Sequence, residues 1–262
     1  MRFLCLHGRG TNSDIFERQL APLVSHVSSE HSFDFLDAQF ESPAGPGVAE
    51  FFAPPYLAWH DHYRPSHVEK VHENLREVME EDGPYDGVIG FSQGAALAAS
   101  LLLYHESQKE AGACDSSGNL FKVAIFFNSV VLLSPSTDTG SKIDEEIKQG
   151  EAIYAGLLRG QQTISLPEAY ASPDGNEEEN PDSIFGFESD TFPHRIQIPT
   201  LHVIGIQDQY AVHSRKLVKL CRPDRAQKIE VDCGHEVPRN VAVLTELAEV
   251  FELVVSMASM HD

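Results

Sequence analysis

Apolar positions recur along this chain with two periods, and their alternation predicts the architecture. Phe3, Leu4, Cys5 and Leu6 form a short apolar run that His7-Gly8-Arg9-Gly10 breaks. From Asp14 to about Val27, Ile15, Phe16, Leu20, Leu23 and Val24 recur at helical spacing, with Ser13 placed as the cap. Phe33-Asp34-Phe35-Leu36-Asp37 alternates weakly and predicts a second strand. Strand, helix, strand at the very start predicts a parallel crossover unit.

Residues 39–65 break the pattern. Pro43, Pro46, Pro54, Pro55 and Pro65 forbid long regular elements, yet Phe40, Phe51, Phe52, Tyr56, Trp59 and Tyr63 crowd the same segment. The rings either pack down as a structural flap or line an apolar pocket mouth, in which case Phe51, Tyr56 and Trp59 are the candidate substrate contacts. Ser66 then reads as the cap of a helix through Glu81, with Val68, Val71, Leu75, Val78 and Met79 on one face.

Residues 85–89 predict a strand, and residues 95–103, rich in alanine and leucine, a helix. The run 121–133 is almost unbroken in apolar residues, as a central parallel strand covered on both faces would be. Residues 134–195 are least patterned: 141–158 is compatible with a helix, and 171–190 is acidic and turn-rich around residues 176–180. That stretch reads as a solvated insertion or a small cap over a site. A buried strand at 199–205, a helix at 211–221, a strand at 227–231 and an amphipathic helix through Val241, Leu244, Leu247, Val250, Phe251 and Val254 complete the chain. One α/β domain over residues 1–262 is expected, with 39–65 and 134–195 as insertions.

Charge narrows the function classes. A formal net charge of −21 argues against nucleic acid or an anionic membrane as a partner through bulk electrostatics. No apolar run approaches membrane-spanning length, and Met1-Arg2 leads into too short an apolar stretch for a signal peptide. Cys5, Cys114, Cys221 and Cys233 show no C-x-x-C pairing, so free buried thiols and a cytoplasmic location are expected.

Between the strand at 85–89 and the helix at 95–103 stands Gly90-Phe91-Ser92-Gln93-Gly94. Alone, G-x-S-x-G is a common accident. Strand, sharp turn and helix around it are the setting of a nucleophile elbow. A serine needs a base to take its proton and an acid to orient the base. Ser92, Asp208 and His235 follow in that chain order, each after a predicted strand. Asp208 also has a bland reading as the cap of the next helix, and Asp232 is a rival acid only three residues before His235. Gly234 is expected to allow close approach at His235. Oxyanion donors are expected from the backbone amides of Gln93, directly after the serine, and Arg9, in the loop after His7-Gly8. The Arg9 side chain is either incidental or meets an anionic part of the substrate. His60, Asp61 and His62 match no usual zinc spacing, so no metal is expected. This mechanism calls for no cofactor.

Leu6-His7-Gly8, Asn12, Asp37-Ala38, Pro46-Gly47-Val48, residues 85–94, residues 199–205 with Asp208, and Gly234-His235 together resemble the fungal serine hydrolase family. The resemblance runs from Met1 to about Phe251 and is weakest over 134–195. It implies an α/β-hydrolase fold, a mostly parallel sheet flanked by helices, with a triad on Ser92, Asp208 and His235. It also implies an acyl thioester or ester substrate, since members include stand-alone thioesterases of fungal polyketide pathways; the acyl carrier domain of a polyketide synthase is then the implied partner. A small-molecule carboxylesterase is the runner-up. Two other classes remain: a nucleotide-dependent oxidoreductase, from the glycines of residues 7–13 with Asp37 as ribose acid, and a hydrolase fold used only for binding.

Overall fold

The computed structural model describes residues 1–112, 118–159 and 183–260. Cys114 and the acidic stretch around 176–180 lie outside the described residues. In chain order the elements are β1 (Arg2–Leu6), α1 (Ser13–Val24), β2 (Ser32–Leu36), β3 (Phe40–Glu41), β4 (Leu57–Ala58), α2 (Pro65–Asp82), β5 (Gly87–Phe91), α3 (Gln93–Glu110), β6 (Val123–Phe127), β7 (Ser141–Lys142), α4 (Asp144–Arg159), β8 (Phe185–Gly186), β9 (Thr200–Gly205), α5 (Ala211–Lys219), β10 (Ala226–Val231) and α6 (Val241–Ser259).

Six strands form one sheet in the order β10-β9-β6-β5-β1-β2, and every pairing in it is parallel. The pleat sorts side chains between two cores. Leu4, Leu6, Val88, Ala124 and Phe126 face the layer of α2, α3 and α5. Phe3, Cys5, Ile89, Phe91, Ile125 and Phe127 face α1 and α6. Both faces are covered, which is why these strands read as continuous apolar runs and not as alternating ones. All the β-to-α turns of such a sheet emerge at the same edge, the carboxyl ends of the strands.

Local chemistry moves several boundaries. Asn12, not Ser13, caps α1: its Oδ1 accepts from the Ile15 amide at 2.9 Å, while the Ser13 amide donates to Asp37 Oδ1 at 2.8 Å. Helix α2 begins at Pro65 and not after a Ser66 cap, because proline at the first helical position needs no hydrogen-bond acceptor. The apolar run 121–133 is not one strand. β6 ends at Phe127, Asn128 takes a left-handed φ of 46°, and Leu133 joins a third core with Tyr63, Val68, Ile143 and Ile147 beneath α4.

Residues 39–65 are pinned down. The β3–β4 ribbon is antiparallel, and Gly10 N–H donates to Leu57 O (2.8 Å) while Leu57 N–H donates to Thr11 O (2.7 Å). The segment is thus stitched to the loop after β1. Among the described residues, no helix is long and apolar enough to cross a membrane.

Several imidazoles sit in this interior without charge, His72 among them. Burial pushes His202 and His60 down to about 3 and His7 down to about 4. Once unfolded, each takes up a proton near pH 6.5. The stability that depends on neutral histidine is therefore complete above about pH 6.5 and is lost as pH falls from there toward 3. His202→Gln is expected to flatten the fall of unfolding free energy below pH 6.5 by up to about 1.4 kcal/mol per pH unit. Urea titrations at a series of pH values measure this, and identical slopes for the two proteins would refute it.

Candidate active site

The turn from β5 into α3 places Ser92 in a conformation side chains avoid, φ 55° and ψ −116°. Such backbone costs roughly 1–3 kcal/mol and survives only where the surroundings dictate it. They do so here: Ser92 N–H donates to Phe127 O at 2.9 Å, and its carbonyl accepts from Ala96 at 3.0 Å. A Cβ on Gly94 would collide with the carbonyl of Leu6 and lie 2.6 Å from that of His7; one on Gly90 would lie 2.5 Å from the Ala95 backbone. Gly94 is required by the packing of α3 against the end of β1, and Gly90 by the packing of α3 against β5.

His235, in the loop after β10, stands between serine and acid. Its Nε2 is 2.8 Å from Ser92 Oγ and its Nδ1 is 2.8 Å from Asp208 Oδ2. Phe91 and Tyr210 both pack against the ring, at centroid distances of 5.1 and 5.2 Å. The Asp208 side chain is fully buried. Its Oδ1 accepts from the Tyr210 amide at 2.8 Å, so one oxygen shapes the turn into α5 while the other meets the imidazole. One side chain thus serves both the start of α5 and the His235 ring. Asp232 points elsewhere, accepting from Gln207 Nε2 at 2.7 Å. The glycine that allows close approach is Gly205, not Gly234: a Cβ on Gly205 would strike the carbonyls of Gly234 and Cys233, whereas Gly234 has nothing within 4 Å.

Asn128, one residue past β6, is a participant absent from the sequence reading. Its Oδ1 accepts from Gly205 N–H (2.7 Å) and its Nδ2 donates to Glu236 O (2.8 Å). It therefore ties the end of β9, which leads to Asp208, to the residue after His235. The signal in the sequence is an asparagine, a residue tolerant of left-handed backbone, interrupting an apolar run.

The loop after β1 abuts the serine: a Cβ on Gly8 would lie 3.3 Å from Ser92 Cβ. His7 organises the loop from within. Its Nε2 accepts from Ala38 N–H at 3.0 Å, which leaves the proton on Nδ1 to be donated to Gly8 O at 2.8 Å. Gln93 opens α3, where an amide has no intrahelical acceptor.

Above Ser92 lies a cavity of about 690 Å³. Val48, Phe51 and Phe52 supply one wall, and Val131, Ile147 and Leu157 another. Phe51 thus lines the cavity, but Tyr56 and Trp59 do not. Tyr56 donates its hydroxyl to Phe52 O, and Trp59 is buried with both N–H groups bound to protein. The Arg9 side chain is matched by protein: Nη1 reaches Glu151 Oε1 at 2.6 Å, Tyr63 OH donates to the same oxygen at 2.7 Å, and the guanidinium lies 4.4 Å over the Tyr154 ring. Burial raises the Tyr210 phenol far above its usual range, with Glu151 adding to the effect, so that hydroxyl stays protonated and donates to Gly150 O.

The dinucleotide reading of residues 7–13 finds no support in this geometry. Asp37 anchors the start of α1, and a Cβ on Gly10 would run into the Gly45 backbone, so protein fills the turn. Among the described residues, no group of three or more His, Cys, Asp or Glu is arranged to hold a metal.

A family described as Serine hydrolase (FSH1) matches residues 1–247. The chain is 30% identical to Hydrolase FUB4 of Gibberella moniliformis, over 98% of this chain and 100% of that one. It is 28% identical to Esterase alnB of Emericella nidulans, over 91% of each. Among solved structures, a monoacylglycerol lipase of Paleococcus ferrophilus is similar with a TM-score of 0.54 at 13% identity, over 97% of this chain and 94% of that one. That likeness concerns the fold alone, which is the α/β-hydrolase fold.

The contrast between the two aspartates is open to direct test. Asp208→Asn is expected to lower kcat for a p-nitrophenyl ester by about 10⁴-fold, against no more than about twofold for Asp232→Asn. Equal losses in the two variants would remove Asp208 from the role its hydrogen bond suggests.

Proposed function

We propose, from the premise that this chain belongs to the FSH1 serine hydrolase family and is an ester-cleaving hydrolase, that Ser92 is its nucleophile, His235 its general base and acid, and Asp208 the group that orients His235. The observation that carries the reading is the unbroken chain of hydrogen-bond contacts from Ser92 Oγ through His235 to Asp208, 2.8 Å at each step. His235 Nε2 takes the Ser92 proton as Oγ attacks the carbonyl carbon. The buried Asp208 side chain, bonded to His235 Nδ1, steadies the imidazolium that forms. The developing oxyanion is met by the amides of Arg9 and Gln93. His235 then returns the proton to the leaving group, and water cleaves the acyl-enzyme by the same steps reversed. Side chains and backbone amides suffice for this chemistry.

The substrate we propose is an acyl thioester or ester whose acyl part occupies the cavity over Ser92. Apolar side chains from two segments line that space, and burying acyl surface there is worth about 25 cal/mol per Å². A thioester suits the site well, because its carbonyl has little ester resonance and a thiolate leaves with little protonation. We read the natural acyl group as a polyketide chain delivered on a synthase carrier domain in fungal secondary metabolism, a reading that rests on the family resemblance.

A small-molecule carboxylesterase is favoured instead by one feature. With a net charge of −21 and with Arg9 held by Glu151, an acidic carrier domain meets a repulsive surface. We further read residues 1–262 as one cytoplasmic domain, supported by the two cores that run across the whole sheet and by free Cys5, Cys221 and Cys233.

A fluorophosphonate probe should label the wild-type protein and not Ser92→Ala, whose kcat should fall by about 10⁴- to 10⁶-fold while the fold persists. A folded Ser92→Ala protein with wild-type turnover would end the serine mechanism. Mixing the enzyme with an acyl-loaded synthase separates the two substrates. Faster release of free acid supports the carrier-bound thioester; rapid hydrolysis of soluble esters with no such release supports the carboxylesterase.

A further inference from the structure

We infer that Trp59 is a positioning residue that sets the spacing of the two oxyanion amides; the inference rests on the proposed serine mechanism. Those amides belong to different elements. Arg9 follows β1 and Gln93 opens α3, so nothing covalent within either loop fixes their separation. Trp59, just beyond β4, is bonded to both sides. Its backbone N–H donates to Gln93 Oε1 at 2.8 Å, and its indole Nε1–H donates to His7 O at 2.8 Å. The residue is only 5% exposed, and its ring lies against the His7 imidazole at 5.1 Å.

The geometry of a peptide plane gives this contact its consequence. Because a trans peptide is rigid and its C=O and N–H point opposite ways, holding one carbonyl oxygen aims the following amide. Gly8 O is held by His7 Nδ1–H at 2.8 Å and by the Thr11 hydroxyl at 2.7 Å, which fixes the plane carrying Arg9 N–H. Trp59 holds the carbonyl of the preceding plane, at His7. The same residue whose imidazole fixes Arg9 N–H, His7, thus packs its ring against Trp59 at a tilt and is bonded to Trp59 through its backbone carbonyl. On the other side, Trp59 grips the Gln93 side chain and does not engage the Gln93 amide. A donor pair misplaced by an ångström loses its value in the transition state but not in the ground state.

Trp59 does not line the cavity, and this separates a positioning role from a substrate-binding one. Trp59→Phe keeps a ring and the backbone bond to Gln93 but removes the indole donor. It is expected to lower kcat by roughly 10- to 100-fold, by the same factor for acetyl and for long-chain p-nitrophenyl esters, with KM nearly unchanged. Binding of an aryl trifluoromethyl ketone, whose hydrated or serine-bound form mimics the oxyanion, should weaken in parallel, while inhibition by the product acid should not change. Gln93→Leu removes the other contact and keeps the amide. It should show the same pattern, and the double variant should cost less than the product of the single losses.

Wild-type and Ser92→Ala proteins run alongside. If Ser92→Ala is inactive but both single variants keep kcat and ketone affinity, the inference fails and the serine mechanism stands. An effect confined to KM for long acyl chains would make Trp59 a pocket residue and also overturn it. If folded Ser92→Ala turns over normally, the mechanism and the inference fall together.

Discussion

Everything at the reactive end of this molecule depends on how closely α3 can approach the end of β1. At Gly94 a single methyl group would drive into the carbonyls of Leu6 and His7, so the helix reaches the sheet only because that position has no side chain. The approach has two effects at once. It forces the chain at Ser92 into a left-handed turn that lifts the hydroxyl out of the helix, and it brings the start of α3 alongside the loop after His7. Strain at Ser92 is tolerated because its amide continues the β5–β6 ladder through Phe127 O. The placement of the Ser92 hydroxyl and the meeting of α3 with the loop after His7 thus share one steric condition.

Asp208 and His235 arrive by a different route. β9 and β10 lie on the opposite side of β6 from the elbow strand, and parallel pairing alone would leave the loops after them free to drift. Asn128 prevents this from the end of β6. Its left-handed backbone turns the side chain so that one amide group accepts from Gly205 and donates to Glu236. Gly205 in turn packs against the Gly234 carbonyl with no room for a side chain. Asp208 and His235 therefore hang from a common knot. Removing either partner of a buried bond of this kind leaves an unsatisfied polar group, at a cost of about 1–3 kcal/mol.

How much of this can be read from the sequence depends on whether a residue's task has a local signature. The elbow has one, because a strand, a turn that excludes side chains and a helix must coincide within a few residues around Ser92. Serine, aspartate and histidine each follow a strand in chain order, so their meeting at one sheet edge follows from parallel topology. Trp59 has no such signature. A tryptophan among prolines and other rings looks the same whether its N–H groups face a ligand or the protein, and only the fold brings His7 and Gln93 to it. Asn128 is hidden by Val131 and Leu133, which prolong the apolar pattern past the true end of the strand although they belong to another core. Gly234 draws attention because it adjoins His235, yet the close approach is across the sheet, at Gly205.

Recognition is built from different material than chemistry. The sheet and its turns supply Ser92, His235, Asp208 and the braces on them, whereas much of the cavity wall comes from residues 39–65 and from α4, both outside the sheet. Segment 39–65 divides these tasks along its length: Phe51 and Phe52 face the cavity, while Leu57 and Trp59 bind the loop after β1. α4 is joined to the same loop through Glu151 and Arg9, a contact that also pairs the Arg9 guanidinium within the cavity over Ser92. An anionic group on a substrate would therefore have to displace Glu151 before Arg9 could serve it, and would meet the field of an acidic protein while doing so. Neutral acyl groups face no such competition. Changes to Phe51, Phe52 or Leu157 can reshape the space they occupy without disturbing the packing of α3 on β1.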